Sequence, residues 1–197
     1  AELLTHTGGL AAEPPGSWWE RTPGPDRAGL HEAMATGTVL DRQGRHVHYS
    51  NLGFAVLGEV VERLTGRAWA DVVAEDVLAP LGMHRTTALP VAPFATGYAV
   101  HPHADVLLPE AVQDTGAMGP AGQLWSTLPD LARWAAFIAG DTGEVLGRDT
   151  LDEMCEPVAL MDGSDWTRAR GLGFENARER GRVLVGHGGS MPGFQAG

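Results

Sequence analysis

Residues 46–66 read HVHYSNLGFAVLGEVVERLTG. Leu52, Val56, Val60 and Leu64 recur every fourth position, and Leu57 and Val61 widen the stripe. That spacing predicts an amphipathic helix. Ser50 or Asn51 suits its N-cap and Gly66 suits the left-handed residue that ends it. Tyr49 and Asn51 therefore stand at the mouth of the helix, where both side chains can be aimed into one cleft. Two readings are open here: a helix cap with a packing tyrosine, or one wall of an active site.

Outward from this helix, the pattern continues as helices first and antiparallel strands later. A second helix is expected over Trp69 to Leu78, stopped by Pro80. A third starts at STLPDLARWAAFIAG, with Ser126 or Thr127 as cap, Pro129 in the first turn and Asp130 as the early acid. A shorter one covers Asp149 to Cys155. Thr38–Leu40 and His46–Tyr49 read as a hairpin turning at Gly44. Gly171–Glu175 and Arg182–Gly186, separated by the polar run NARERG, read as a second hairpin. Segments 11–29 and 88–123, rich in Pro and Gly, read as long ordered loops. The order is that of an α+β fold, not the strand-helix alternation of a doubly wound sheet. We expect a helical region over 1–165 and part of an antiparallel sheet over 166–197. Both ends read as cuts through a longer chain, because a sheet that stops at PGFQAG would be left with an open edge.

Composition narrows the function classes. A net charge of −11 opposes binding to nucleic acid, whose phosphates call for basic patches, and opposes docking on anionic membranes. No apolar run approaches the roughly 20 residues of a membrane span. All 14 basic residues are arginine, so any mechanism with a lysine base is excluded within this chain. Cys155 is the single cysteine and, in a short helical pattern, reads as a core thiol rather than a nucleophile.

Three stretches carry residues suited to chemistry. Tyr49-Ser50-Asn51 offers a phenol and an amide, and the phenol can shuttle protons if nearby positive charge lowers its pKa from about 10. Gly186-His187-Gly188-Gly189-Ser190-Met191-Pro192-Gly193-Phe194 offers a histidine that holds protons near neutrality. Its glycines admit a ligand close to the backbone, and the Ser190 N–H can face an oxyanion. AELLTHTGGL places His6 before Gly8-Gly9, the pattern of a buried histidine at a tight turn. Alone, each stretch also has a plain structural reading as a cap, a glycine turn or a packed ring.

Together, LLTHTGGL, YSNLGFAVLGEVVERLTG, PAGQLWSTLPDLARWAAFI, GLGF and GHGGSMPGF resemble, in content and order, the serine beta-lactamase-related family of class C beta-lactamases, DD-peptidases and esterases. The resemblance covers nearly the whole chain. The His-x-Gly form of the last motif is closer to the DD-peptidases and related esterases than to the beta-lactamases, which usually carry Lys there. It implies a hydrolase that attacks amide, lactam or ester bonds through an acyl-serine intermediate, without metal or organic cofactor. Tyr49 would relay a proton to the leaving group, and Asn51 would hold the substrate amide and a catalytic lysine. His187 would stand opposite Tyr49, Gly189 would allow close approach, and Ser190 would give one oxyanion-hole amide. The substrate would be a D-amino-acid peptide, a beta-lactam or a small ester. Many members of the family are exported.

The departures matter as much. The family nucleophile lies in Ser-x-x-Lys upstream of LLTHT, whereas here the serines are followed three positions on by Glu20, Gly53, Pro129, Thr167 and Gly193. The chain as given is therefore expected to be catalytically incomplete, and a non-catalytic homologue that binds a peptide or partner in the old cleft is the alternative. Gly8 replaces the usual Ser, Gln43-Gly44 replaces Pro-Gly, and Arg170 stands where an aromatic commonly precedes GLGF, which bears on loop shape and substrate preference. An α/β-hydrolase is excluded, since GGSMP ends in Pro192 where its Gly-x-Ser-x-Gly elbow requires glycine. The pairs His46/His48 and His101/His103 suggest a metal-binding alternative. No carboxylate or cysteine at ligand spacing joins them, so solvent-facing histidines are expected.

Overall fold

The computed structural model describes residues 1–16, 21–163 and 165–197. Its helices are α1 (Arg27–Ala35), α2 (Asn51–Thr65), α3 (Trp69–Val73), α4 (Leu128–Ile138) and α5 (Arg148–Cys155). Its strands are β1 (Tyr98–Val100), β2 (Leu107–Pro109), β3 (Ala159–Leu160), β4 (Arg168–Arg170), β5 (Glu175–Glu179), β6 (Arg182–Gly186), β7 (Gly189–Met191) and β8 (Phe194–Ala196). Apart from the β1–β2 hairpin set between α3 and α4, helices precede the antiparallel strands along the chain, as in an α+β fold.

Helix α2 forms as its pattern dictates. Ser50 is extended, and its Oγ accepts the Gly53 N–H at 2.9 Å. Gly66 takes φ 69°, and its N–H returns to the Glu62 carbonyl. The expected second helix spans the same residues but widens into a π-helical turn over Ala74–Leu78. Thr127 caps α4 through the Asp130 N–H at 3.4 Å.

The hairpin expected over 38–49 does not form. Its two arms pair instead with the N-terminal segment, which supplies closer partners. Ala11 donates to the Thr38 carbonyl and Leu40 to that of Gly9, both at 2.7 Å, while His48 donates to the His6 carbonyl at 2.8 Å. Gly9, at φ 71°, permits this, since a Cβ there would lie 2.3 Å from the Asp41 carbonyl oxygen.

The two long loops also hold more structure than their Gly and Pro content suggests. Segment 11–29 ends in the start of α1, capped by Asp26 on the Gly29 N–H at 2.8 Å; positions 17–20 of that loop lie outside the described residues. Segment 88–123 contains the β1–β2 hairpin and a 3-10 helix over Gly116–Ala121. Buried Gln123 accepts both the N–H and the hydroxyl of Thr115 and pins that helix in place.

The later strands form one antiparallel sheet in the order β3-β4-β5-β6. The polar run NARERG is mostly strand β5, and the turn is only Arg180-Gly181, both at positive φ (48° and 75°), as a tight two-residue hairpin turn demands. Residues 171–174 are a bend, closed by Gly171 donating to the Phe174 carbonyl at 2.9 Å. A separate hairpin, β7–β8, turns at Pro192-Gly193.

Two cores hold these parts. Leu30, Leu52, Ala55 and Met118 pack between α1, α2 and the 3-10 helix. Gly58 of α2 lies flush on Pro120, where a Cβ would come within 2.2 Å of the ring. Phe137, Leu151 and Phe174 join α4 and α5 to the sheet, with Cys155 half-buried at their edge.

Candidate active site

Tyr49, Asn51, His187, Gly189 and Ser190 all line one cleft of ≈1350 Å³. Three local devices bring them there. The cap of α2 fixes the backbone of 49–51. The bond from Gly173 N–H to the Leu4 carbonyl, 3.1 Å, ties the N-terminal segment to the bend before β5. The β6 strand then delivers His187 and the β7–β8 hairpin to the opposite side.

On the helix side, His6 is buried (3% exposed) and packs against Tyr49 with ring centroids 4.3 Å apart and the planes tilted by 32°. Its Nδ1 accepts the Ser50 N–H at 3.0 Å, so in the neutral ring the proton sits on Nε2. Burial, helped by electrostatic repulsion from Arg170 and His187, pushes the His6 pKa down to about 4. The reading of His6 as a buried, hydrogen-bonded structural residue at a tight turn holds, with φ 56°.

On the hairpin side, His187 is exposed, and its ring centroid lies 6.0 Å from that of Tyr49. Its Nδ1 bonds the Gly188 carbonyl at 2.5 Å. A carbonyl only accepts, so Nδ1 carries the proton and Nε2 of the neutral ring is left as an acceptor. Gly189 and Ser190 pair with Ala196 and Gln195 across the β7–β8 hairpin.

Asn51 donates from Nδ2 to Glu13 Oε1 at 2.5 Å, while Glu13 Oε2 is buried with no partner among the described residues. Tyr49 departs from expectation in one respect. Its phenol is held above its ordinary pKa because burial outweighs the Arg170 charge, and the carboxylates of Glu13 and Glu175 push the same way. At neutral pH the phenol is therefore a proton donor and not a base.

Several residues in or beside the cleft escaped sequence reasoning. Glu13 lies in a Pro-rich loop and gave no signal. Arg170 was marked only by its place before GLGF. Phe94, Trp125 and Phe194 form an edge-to-face aromatic wall, with centroid separations of 5.5 and 5.0 Å. Trp125 is set there by paired backbone bonds with Thr87 at 2.8 and 2.9 Å, a link between distant loops that no local pattern announces. The His-x-His pairs lie elsewhere. His46 and His48 are exposed, and the His103 N–H donates to His101 Nδ1 at 3.1 Å. Among the described residues no group of three or more His, Cys, Asp or Glu side chains could hold a metal ion, and no helix is long and apolar enough to cross a membrane.

A family model described as Beta-lactamase matches residues 1–197. The chain belongs to the beta-lactamase family. Within it, the chain is 32% identical over 158 residues to a D-aminopeptidase of Brucella ovis, a match covering 77% of this chain and 29% of the relative. It is 27% identical over 172 residues to Beta-lactamase-like protein 2 of Dictyostelium discoideum, covering 83% and 31%. The chain thus spans less than a third of the length of these two relatives. Among solved structures, a D-stereospecific amidohydrolase from Streptomyces sp. superposes with a TM-score of 0.82 at 23% identity, covering 98% of this chain and 61% of that one. A class C beta-lactamase mutant superposes with a TM-score of 0.74 at 19% identity, covering 98% and 59%. These superpositions establish the beta-lactamase and DD-peptidase type of fold.

Proposed function

We propose that this chain forms one side of a serine acyl-transfer site that hydrolyses amide, lactam or ester bonds, with D-amino-acid amides the favoured substrates. The observation that carries the proposal is the meeting of Tyr49 and His187 across one cleft, 6.0 Å between rings, beside Asn51 and Ser190. The D-aminopeptidase relative supports the substrate class. The aromatic wall supports a substrate with an apolar side chain.

In this reading a serine hydroxyl gives its proton to the neutral lysine of a Ser-x-x-Lys motif as its oxygen adds to the substrate carbonyl, and the Ser190 N–H faces the resulting oxyanion. Losing one such donor typically raises the barrier by ~3–4 kcal/mol. Tyr49, protonated at neutral pH, gives its proton to the departing amine. Restoring it as an acceptor needs a further positive charge near the phenol, the service a Ser-x-x-Lys lysine performs. With no lysine in residues 1–197, that motif must come from polypeptide outside them. The lysine-free sequence also favours a second reading, a cleft that binds peptides without turning them over.

The test is to treat the intact protein with a fluorescent penicillin and to assay D-amino-acid amides. The proposal expects a covalent label on one serine of a Ser-x-x-Lys, lost on its change to Ala, and a Tyr49→Phe variant slowed by about 10²–10⁴-fold. A label on any serine within 1–197 overturns it. Peptide binding with neither label nor turnover establishes the non-catalytic reading.

A further inference from the structure

Arg170 is the most deeply buried charge in the cleft, 6% exposed. Its Nη2 meets Glu175 Oε1 at 3.0 Å. Its Nε and Nη1 are buried and have no hydrogen-bond partner among the described residues. Its Cζ lies over the Tyr49 ring, 5.3 Å from the centroid. A buried guanidinium served by one carboxylate is a poor stabilising device, and an apolar residue of similar volume often does as well or better. The charge is thus neutralised on one flank and faces a tyrosine on another.

We propose that Arg170 is a positioning residue for Tyr49, a permanent positive charge seated on the ring that favours the phenolate whenever the phenol gives up its proton. The inference rests on the proton-relay role given to Tyr49 above. His187 stands farther off, exposed, with its ring centroid 6.0 Å from that of Tyr49. The other groups facing Tyr49 are His6, held neutral on the ring's N-terminal side, and the carboxylates of Glu13 and Glu175, which oppose the phenolate. Arg170 is accordingly the steady cation set against them, and Glu175 tempers it.

The experiment places 3,5-difluorotyrosine at position 49 of the intact protein, so that ionisation falls within the pH range of the folded state, and follows it by ultraviolet absorbance. Arg170→Met is expected to raise the midpoint by about one unit or more, and Glu175→Gln to lower it, as opposite charges near one phenol demand. Arg170→Lys should fall between wild type and Arg170→Met. The basic limb of the kcat/KM profile for an amide substrate should move in the same directions. Unmoved midpoints in Arg170→Met and Glu175→Gln overturn the proposal. If Arg170→Met does not fold, an unmoved midpoint in Glu175→Gln does so alone. The titration needs no turnover, so a failure here is distinguishable from a failure to form an acyl-enzyme.

Discussion

His6 and His187 both face the ring of Tyr49, yet they are held in opposite ways. His6 is buried, packed against the ring and bonded to the backbone that starts α2. His187 stands exposed after β6, with a bond to the neighbouring Gly188 carbonyl. The helix side of the cleft is an extension of the core, so its geometry is set by packing. The hairpin side carries His187 and Ser190 exposed, beside and on a two-stranded unit that leans on Trp125 through Phe194 rather than on either core. The contrast teaches that substitutions on one side should act first on stability, and on the other first on chemistry.

The hardest test of that contrast is Leu52→Ala, which empties a fully buried site beneath the α2 entrance. It should destabilise the intact protein by about 2–5 kcal/mol in urea denaturation; a loss below ~1 kcal/mol would mean that this wall does not lean on the core. Next comes pH. The folded state keeps His6 neutral down to about 4, while the unfolded chain takes up the proton near pH 6.5. Stability from this residue is therefore full above about pH 6.5 and is lost as pH falls towards 4, on the order of 2–3 kcal/mol. His6→Asn, which tolerates the positive φ, should flatten the fall of Tm between those pH values; an unchanged slope would free His6 from the core.

Ser50→Ala removes an N-cap whose hydroxyl also donates to the Ala11 carbonyl at 2.7 Å, so about 1–2 kcal/mol should be lost. At the small end, His187→Asn should leave stability within about 0.5 kcal/mol of wild type while lowering turnover of an amide substrate. A large loss of Tm in that variant would show that the hairpin side is structural too.

Much of the helix side was legible because it is local. The apolar stripe from Leu52 to Leu64, the Ser50 cap and the Gly66 stop lie within one stretch, and each follows from backbone geometry a few residues long. The hairpin side was legible only as a motif. The polar run NARERG read as a loop because strand β5 ends in water, where polarity no longer separates strand from turn. The arms at 38–40 and 46–49 read as partners because nothing local shows that the chain at 6–11 competes for the same hydrogen bonds.

The sequence by itself determined helices α2 to α5, the caps of α2 and α4, the absence of any lysine and the motifs that carry the family, but not α1. Tertiary structure alone decided what surrounds Tyr49. Glu13, Arg170, Glu175 and His187 come from separate segments, and whether a phenol beside them is raised or lowered depends on distance and burial. Both quantities arise only when those segments are packed together, since charge–charge interaction and desolvation act through space and not along the chain.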